Sequence, residues 1–187
     1  AQQVENKYFA KLLSSPEAGN IIRTTFINKG RAEKLAARPE GVAKASYSKV
    51  GVLGAGMMGA GIAFVTARAG CEVVLIDRSQ DEAERGKAYA KSRLARDLEN
   101  RRIDQAKVDD ILGRIAPTTD YSLLSGCQIV VEAVFEDSAI KADVTKKAEA
   151  AIPADAVFAS NTSTLPITGL AGASSRPDRF IGLHFFS

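Results

Sequence analysis

The stretch Lys49-Val50-Gly51-Val52-Leu53-Gly54-Ala55-Gly56-Met57-Met58-Gly59-Ala60-Gly61 constrains the fold of this chain more than any other. A short apolar run ends in Gly54-x-Gly56-x-x-Gly59, and a helix pattern of small residues follows. A second apolar run, Glu72-Val73-Val74-Leu75-Ile76, then stops at Asp77. Three glycines alone would be a weak signal, readable as a glycine turn in any α/β unit. Strand, glycine turn, helix, strand and acid in that order form the dinucleotide-binding fingerprint in its proper context. Gly54 allows a tight turn off the first strand. Gly56 lets backbone approach a pyrophosphate, and Gly59 lets the helix pack closely. The helix that follows would aim unpaired N–H groups and its positive dipole end at the phosphates. Asp77 lies roughly twenty residues past the glycines, where a carboxylate accepts bonds from ribose hydroxyls. A 2′-phosphate there would meet like charge, which favours NAD over NADP. Arg78 tempers that preference, since a guanidinium could accept such a phosphate.

Composition bounds the remaining possibilities. The 187 residues suffice for one domain with a real core plus an appendage. The basic residues behind the net charge of +3 are spread along the chain, without a compact basic tract interleaved with aromatics. That argues against nucleic acid as a partner. No apolar run reaches membrane-spanning length and no signal-peptide pattern opens the sequence, so no membrane partner is expected and a cytoplasmic location is. Cys71 and Cys127 each sit at the start of an expected strand, as reduced, small residues do. With a single histidine in the chain and no local ligand spacing, no metal site is expected.

Residues 1–46 read as a helical linker segment and 47–187 as the dinucleotide-binding domain. Ser14-Ser15-Pro16-Glu17 is a helix start, with Ser15 as N-cap and proline in the first turn. A basic amphipathic pattern through Ile22, Phe26, Ile27 and Leu35 runs to a stop at Arg38-Pro39-Glu40-Gly41. It could lie on the following domain or on a membrane surface, although its apolar stripe is thin for the latter. Beyond Tyr47, strands are expected at 49–53, 72–76, 128–134, 156–160 and 180–184. Helices are expected at 57–69, 80–101, 104–113, 139–151 and 165–172. This alternation predicts an α/β fold, a Rossmann-type doubly wound and mostly parallel sheet. The many charges of 80–101 read as a solvated face.

Three strand ends carry the candidate chemistry. The run Gln128–Glu136 delivers Glu136 and then Lys141 to the carboxyl edge of the sheet, where ligands bind in such folds, although both also read as charges flanking a helix start. The run Ala156–Ser160 delivers Asn161-Thr162-Ser163-Thr164, residues that just before Pro166 serve more readily as helix caps than as catalysts. The last strand, Phe180-Ile181-Gly182-Leu183-His184, delivers the histidine. Such a residue is commonly structural, but its place on the glycine-loop edge admits a general-base role.

In sequence order, Gly54-Ala55-Gly56-Met57-Met58-Gly59, Val131-Glu132-Ala133-Val134-Phe135-Glu136-Asp137, Ser160-Asn161-Thr162-Ser163-Thr164 and Gly182-Leu183-His184-Phe185-Phe186 resemble the NAD-binding domain of L-3-hydroxyacyl-CoA dehydrogenases. The opening helix resembles the linker before that domain in the alpha subunits of bacterial multifunctional fatty-acid oxidation complexes. The resemblance implies NAD as cofactor and oxidation of the C3 hydroxyl of a 3-hydroxyacyl-CoA in fatty-acid β-oxidation. By this resemblance His184 matches the catalytic histidine that takes the hydroxyl proton. Ser163 matches the serine that bonds the substrate oxygen, and Asn161 an asparagine beside both cofactor and substrate. Gly54, Gly56, Met58, Gly59, Asp77, Val134, Phe135, Glu136 and Lys141 match cofactor contacts. The implied partners are the acyl-CoA substrate, an enoyl-CoA hydratase domain upstream, a C-terminal dehydrogenase domain downstream and a thiolase subunit.

The chain departs from the family pattern in two respects. Where the family continues His-Phe-Phe-Asn-Pro, this sequence reads His184-Phe185-Phe186-Ser187. The glutamate that orients the histidine in the family, and the helical domain that carries it, lie beyond these residues. The chain therefore reads as an excised domain that binds NAD and turns over weakly or not at all. Alternatives at this point are a non-catalytic nucleotide-binding Rossmann module, another NAD-dependent dehydrogenase sharing the first βαβ unit, or a short single-function 3-hydroxybutyryl-CoA dehydrogenase.

Overall fold

The alternating apolar and charged runs resolve, in a computed structural model of the chain, into helices that flank a six-stranded parallel sheet. The structure describes residues 2–186. Ser187, the site of the first departure noted above, lies outside them. The described residues divide into two units between Ala45 and Ser46.

The first unit contains α1 (Gln2–Leu13), α2 (Pro16–Ile22), a π-helical stretch at Arg23–Asn28, and α3 (Lys29–Glu33). Ser15 caps α2 as expected, its Oγ accepting the Ala18 N–H at 3.2 Å. The helical path ends at Glu33 rather than at Pro39. Leu35 takes a left-handed φ of 55°, Leu35 N donates to Ala32 O, and Ala36 N donates to Arg31 O. That pair of bonds is a Schellman stop. It escapes a sequence reading because the left-handed residue is leucine, not glycine. None of the residues in these helices is buried.

The second unit runs β1 (Lys49–Leu53), α4 (Met57–Arg68), β2 (Glu72–Ile76), α5 (Gln80–Glu99), α6 (Gln105–Gly113), β3 (Ile115–Thr118), β4 (Ile129–Glu132), α7 (Ser138–Glu149), β5 (Val157–Ser160), α8 (Ile167–Ala171) and β6 (Phe180–Gly182). Strand order is β3-β2-β1-β4-β5-β6, with every pairing parallel. The chain winds outward from β1 to β3, then returns to the other side of β1 and winds outward again to β6. The carboxyl ends of β1 and β4 therefore flank the topological switch point, where this fold class binds ligands.

Strand β3 is the one strand the sequence pattern does not predict. It contains Pro117, a residue that argues against a strand, but β3 lies at the sheet edge where the missing donor costs nothing. Alternate residues of the strands feed two cores. Val50, Val52, Val73, Leu75, Ile115 and Val131 pack with Ile62, Ala63 and Phe64 of α4, Leu94 of α5 and Ile111 of α6. Leu53, Val74, Ile76, Val130 and Phe158 pack on the other side with Leu124, Cys127 and Ala148. Helix α5 buries only Ala83, Gly86, Ala90 and Leu94, so its charges face outward. Both cysteines are free thiols, and burial pushes Cys127 up to about 11.

Candidate active site

The β1 turn is shaped by contacts that forbid side chains. Gly54 has φ 89°, and a Cβ there would lie 2.6 Å from Ala133 O at the end of β4. A Cβ on Gly59 would lie 1.7 Å from Gly54 O, so the third glycine lets α4 start directly against the turn. Gly56 differs from both, because a Cβ there would meet nothing within 4 Å. It is the N-cap of α4 and supplies no side-chain cap, which leaves the first N–H groups of the helix available to an anion in that open space. This is the fit expected of a pyrophosphate cradle. Asp77, at the tip of β2, accepts the Ala55 N–H at 2.6 Å through Oδ2 and the Arg78 N–H at 2.7 Å through Oδ1. Its carboxylate is thereby fixed beside the glycine turn. The Arg78 guanidinium bonds Glu82 and lies 3.9 Å from Asp77 Oδ1, so its charge is already answered by two acids.

Strand β4 ends in Glu132, which is 1% exposed. Its Oε1 accepts from Val134 N and Lys141 Nζ, both at 2.8 Å, and its Oε2 accepts from Ser160 Oγ at 2.7 Å. Asp137 caps α7 by accepting from Ala139 N and Ile140 N, both at 2.9 Å. That cap sets Lys141 in the first turn, 2% exposed, between Glu132 and Glu136 Oε2, the latter at 3.2 Å. Glu136 in turn ties down the loop after β5. Its Oε1 accepts from Thr162 Oγ1, from Ser163 N at 3.1 Å and from Thr164 N at 3.2 Å. Burial opposes its charge, but the bonds from Thr162, Thr164 and Lys141 prevail and hold its carboxyl at about 2.

Asn161 joins this loop to the chain beyond β6. Its backbone N–H donates to Glu132 O at 2.8 Å, and its Oδ1 accepts the Phe185 N–H at 2.7 Å. Its carbonyl oxygen lies 3.3 Å from His184 Nδ1. A carbonyl can only accept, so that pairing assigns the proton to Nδ1 and leaves the Nε2 lone pair as the basic position. The Phe186 ring meets the His184 ring edge-on at 4.8 Å.

These groups line one cleft of about 370 Å³, walled by Met58, Ala133, Val134, Glu136, Lys141, Asn161, Ser163, His184, Phe185 and Phe186. Of the residues singled out in the sequence, Met58, Val134, Glu136, Lys141, Asn161, Ser163 and His184 come together here. Gly54, Gly56, Gly59 and Asp77 form the adjoining turn, outside the lining itself. Phe135 is 79% exposed and does not line the cleft. A larger, open depression of about 860 Å³ between α5 and α6 shares none of these residues. Sequence reasoning did not single out Glu132, Ser160 and Thr162. For Glu132 a signal exists: an acid inside a buried apolar run needs a cationic partner, and Lys141 stands one helix turn past the cap.

Residues 49–187 match the family model described as "3-hydroxyacyl-CoA dehydrogenase, NAD binding domain". The whole chain is 36% identical to the fatty acid oxidation complex subunit alpha of Psychrobacter cryohalolentis and spans 26% of that protein. Among solved structures, it resembles (S)-3-hydroxybutyryl-CoA dehydrogenase PaaH1 from Ralstonia eutropha, with a TM-score of 0.72 and 39% identity over 75% of this chain and 50% of that one. It resembles 3-hydroxybutyryl-CoA dehydrogenase from Escherichia coli K12 with a TM-score of 0.73 and 31% identity, over 76% of this chain and 30% of that one. No helix among the described residues is long and apolar enough to cross a membrane.

Proposed function

The chain belongs to the family of 3-hydroxyacyl-CoA dehydrogenase NAD-binding domains, and from that premise we propose that its cleft is the cofactor and proton-transfer half of an L-3-hydroxyacyl-CoA dehydrogenase. The observation that carries this reading is the convergence of Lys141, Glu136, Asn161, Ser163 and His184 on one cleft beside the glycine turn. The cofactor, once bound, supplies the hydride acceptor. The turn at Gly54–Gly59 and the start of α4 would hold the pyrophosphate, and Asp77 would accept hydrogen bonds from the ribose hydroxyls. Val134, Glu136 and Lys141 would contact the cofactor from the cleft wall, and Phe135 from outside it. His184 takes the proton of the C3 hydroxyl at Nε2, while Asn161 holds the ring through Nδ1. Ser163 donates to the substrate oxygen, where charge changes most as a carbonyl develops.

The substrate of the whole protein, on this reading, is a 3-hydroxyacyl-CoA undergoing β-oxidation in the cytoplasm. We assign the chain to a multifunctional alpha subunit, with residues 1–46 as the linker from an upstream hydratase domain to the domain at 47–187. A C-terminal dehydrogenase domain would follow, and a thiolase subunit is the expected companion. Similarity to the alpha subunit over the full chain, first unit included, supports this assignment. The likeness to 3-hydroxybutyryl-CoA dehydrogenases, which covers 75–76% of the chain, supports a short single-function enzyme as the second reading.

An NADH fluorescence titration with NADPH in parallel tests the cofactor assignment. Saturable binding that prefers NADH is expected, because Asp77 is fixed at the turn and Arg78 is engaged by acids. Equal or tighter binding of NADPH would overturn it. Binding of neither would reduce the domain to a Rossmann module without the cofactor.

A further inference from the structure

The charges behind the cleft do not sum to zero. Glu132 and Glu136 both contact Lys141 Nζ, at 2.8 and 3.2 Å, so two carboxylates share a single ammonium. Glu132 and Lys141 are almost wholly buried, and solvent screens them little. The net charge of this cluster is −1, at the wall of a cleft that Lys141 and Glu136 line directly. Backbone donors at Val134, Ser163 and Thr164 disperse part of it. They carry only partial charges, so an excess remains. The buried Glu132–Lys141 pair balances itself, so the excess falls at Glu136, whose side chain is 34% exposed at the cleft wall, where an entering cation can complete it.

Glu132 is the group whose presence creates the excess, since Glu136 alone would neutralise Lys141. It is also the point where three elements meet: its carboxylate bonds the turn after β4 at Val134, the end of β5 at Ser160, and α7 at Lys141. We propose that Glu132 is a positioning residue whose charge biases the cleft toward the oxidised, cationic form of a nicotinamide cofactor over the reduced, neutral form. The inference rests on the cofactor reading given above and extends it. Oxidised nicotinamide brings the positive charge that the cluster lacks, and reduction removes it. A cleft charged this way favours the form that enters the oxidation of a hydroxyl.

The test compares affinities of this chain for NAD⁺, NADH and ADP-ribose in wild type and Glu132→Gln. Glutamine keeps an acceptor for Val134 and Lys141, and its amide can donate to Ser160 Oγ, so shape and bonds are preserved while the charge goes. The Kd ratio of NAD⁺ to NADH should rise roughly three- to tenfold, the range that a unit charge across a cleft exerts at an effective dielectric constant of about 20. ADP-ribose, which lacks the nicotinamide, should bind nearly as in wild type. Ser160→Ala, which deletes one bond without changing charge, should leave the ratio where it was. Equal weakening of all three ligands in Glu132→Gln would mean a structural role only and overturn the proposal. Failure of wild type to bind any of them would instead overturn the cofactor reading itself. Should Glu132→Gln not fold, Glu136→Gln removes the same unit of charge from the cleft wall. An unchanged NAD⁺ to NADH ratio in that variant would equally overturn the proposal.

Discussion

Around the end of β1 the site is made by what side chains leave out, whereas around the ends of β4 and β5 it is made by side chains that charge and hydrogen-bond one another. At the β1 turn, Gly54 and Gly59 sit where a Cβ would meet backbone oxygen at 2.6 and 1.7 Å, and Gly56 faces open space. The turn there contributes backbone N–H groups and little else. Across the switch point, Glu132, Lys141, Glu136 and Thr162 form a continuous set of bonds that fixes two loops and a helix start. Damage to the first wall acts through sterics and is local. Damage to the second acts through uncompensated charge and reaches every element that the network ties.

The sharpest contrast is expected from Lys141→Met. Methionine fills much of the same volume, but it strands the Glu132 carboxylate in a site that is 1% exposed. Breaking a buried pair by removing one partner costs about 3–5 kcal/mol. Urea unfolding at neutral pH should show that loss. A loss below about 1 kcal/mol would mean that the pair behaves as if solvated, and the contrast between the two walls would collapse. Gly59→Ala comes next. Its Cβ must displace the Gly54 carbonyl or lift the start of α4, an overpacking cost of about 1–3 kcal/mol. Because the carbonyl belongs to the turn itself, NADH binding should fall below detection in the same titration, and retained binding would show that the turn gives more readily than its geometry implies.

The two walls also differ in how far the sequence discloses them. Glycines with fixed spacing between two apolar runs announce a turn, because no other residue tolerates φ 89° with backbone at 2.6 Å. The parallel sheet follows from the same alternation, and only β3 was hidden, its edge position making Pro117 harmless. Asn161, Ser163 and His184 were legible as strand-end residues, and the structure brings them to the same cleft. What no spacing rule conveys is the pairing of charges across elements. Glu136 stood out as a surface acid or a cofactor contact, yet in the structure its carboxylate is spent largely on Thr162, Ser163, Thr164 and Lys141. Glu132, an acid inside an apolar run, calls for a cation without the sequence saying which one. Their side-chain partners are 5 to 28 positions away in sequence, and packing alone selects them.

Acid pH should expose the charged wall selectively. The Glu136 carboxyl is held at about 2 in the fold against an ordinary value of 4.5. Between those values the unfolded chain binds the extra proton, so stability rises with pH. The contribution is complete above about 4.5 and is lost as pH falls toward about 2. Glu136→Gln should remove that part of the slope and cost about 1–2 kcal/mol at neutral pH, discounted for the partial exposure of the side chain. Glu149, which is likewise lowered by bonds from Ser174 and Ser175 after burial is overcome, supplies a residual slope in both proteins. Denaturation curves between pH 2.5 and 5 for the two proteins would separate these, and parallel profiles would show that Glu136 does not contribute.

The smallest effect on stability and the cleanest on binding should come from Gly56→Ala. Gly56 has φ −65°, a value open to any residue, and a Cβ would meet nothing within 4 Å. Alanine is a poorer N-cap than glycine, so the cost to folding should stay within about 1 kcal/mol. The added methyl nevertheless occupies the space above the first N–H groups of α4, where a pyrophosphate must come close to be held by backbone. NADH affinity should therefore drop by tenfold or more, about 1.4 kcal/mol or above, in a protein that unfolds almost as wild type does. Gly59→Ala and Gly56→Ala together then divide the glycine wall into a residue that builds the turn and a residue that keeps it open. If Gly56→Ala bound NADH normally, the open space would not be the phosphate site, and the backbone half of the comparison would have to move elsewhere on the sheet edge.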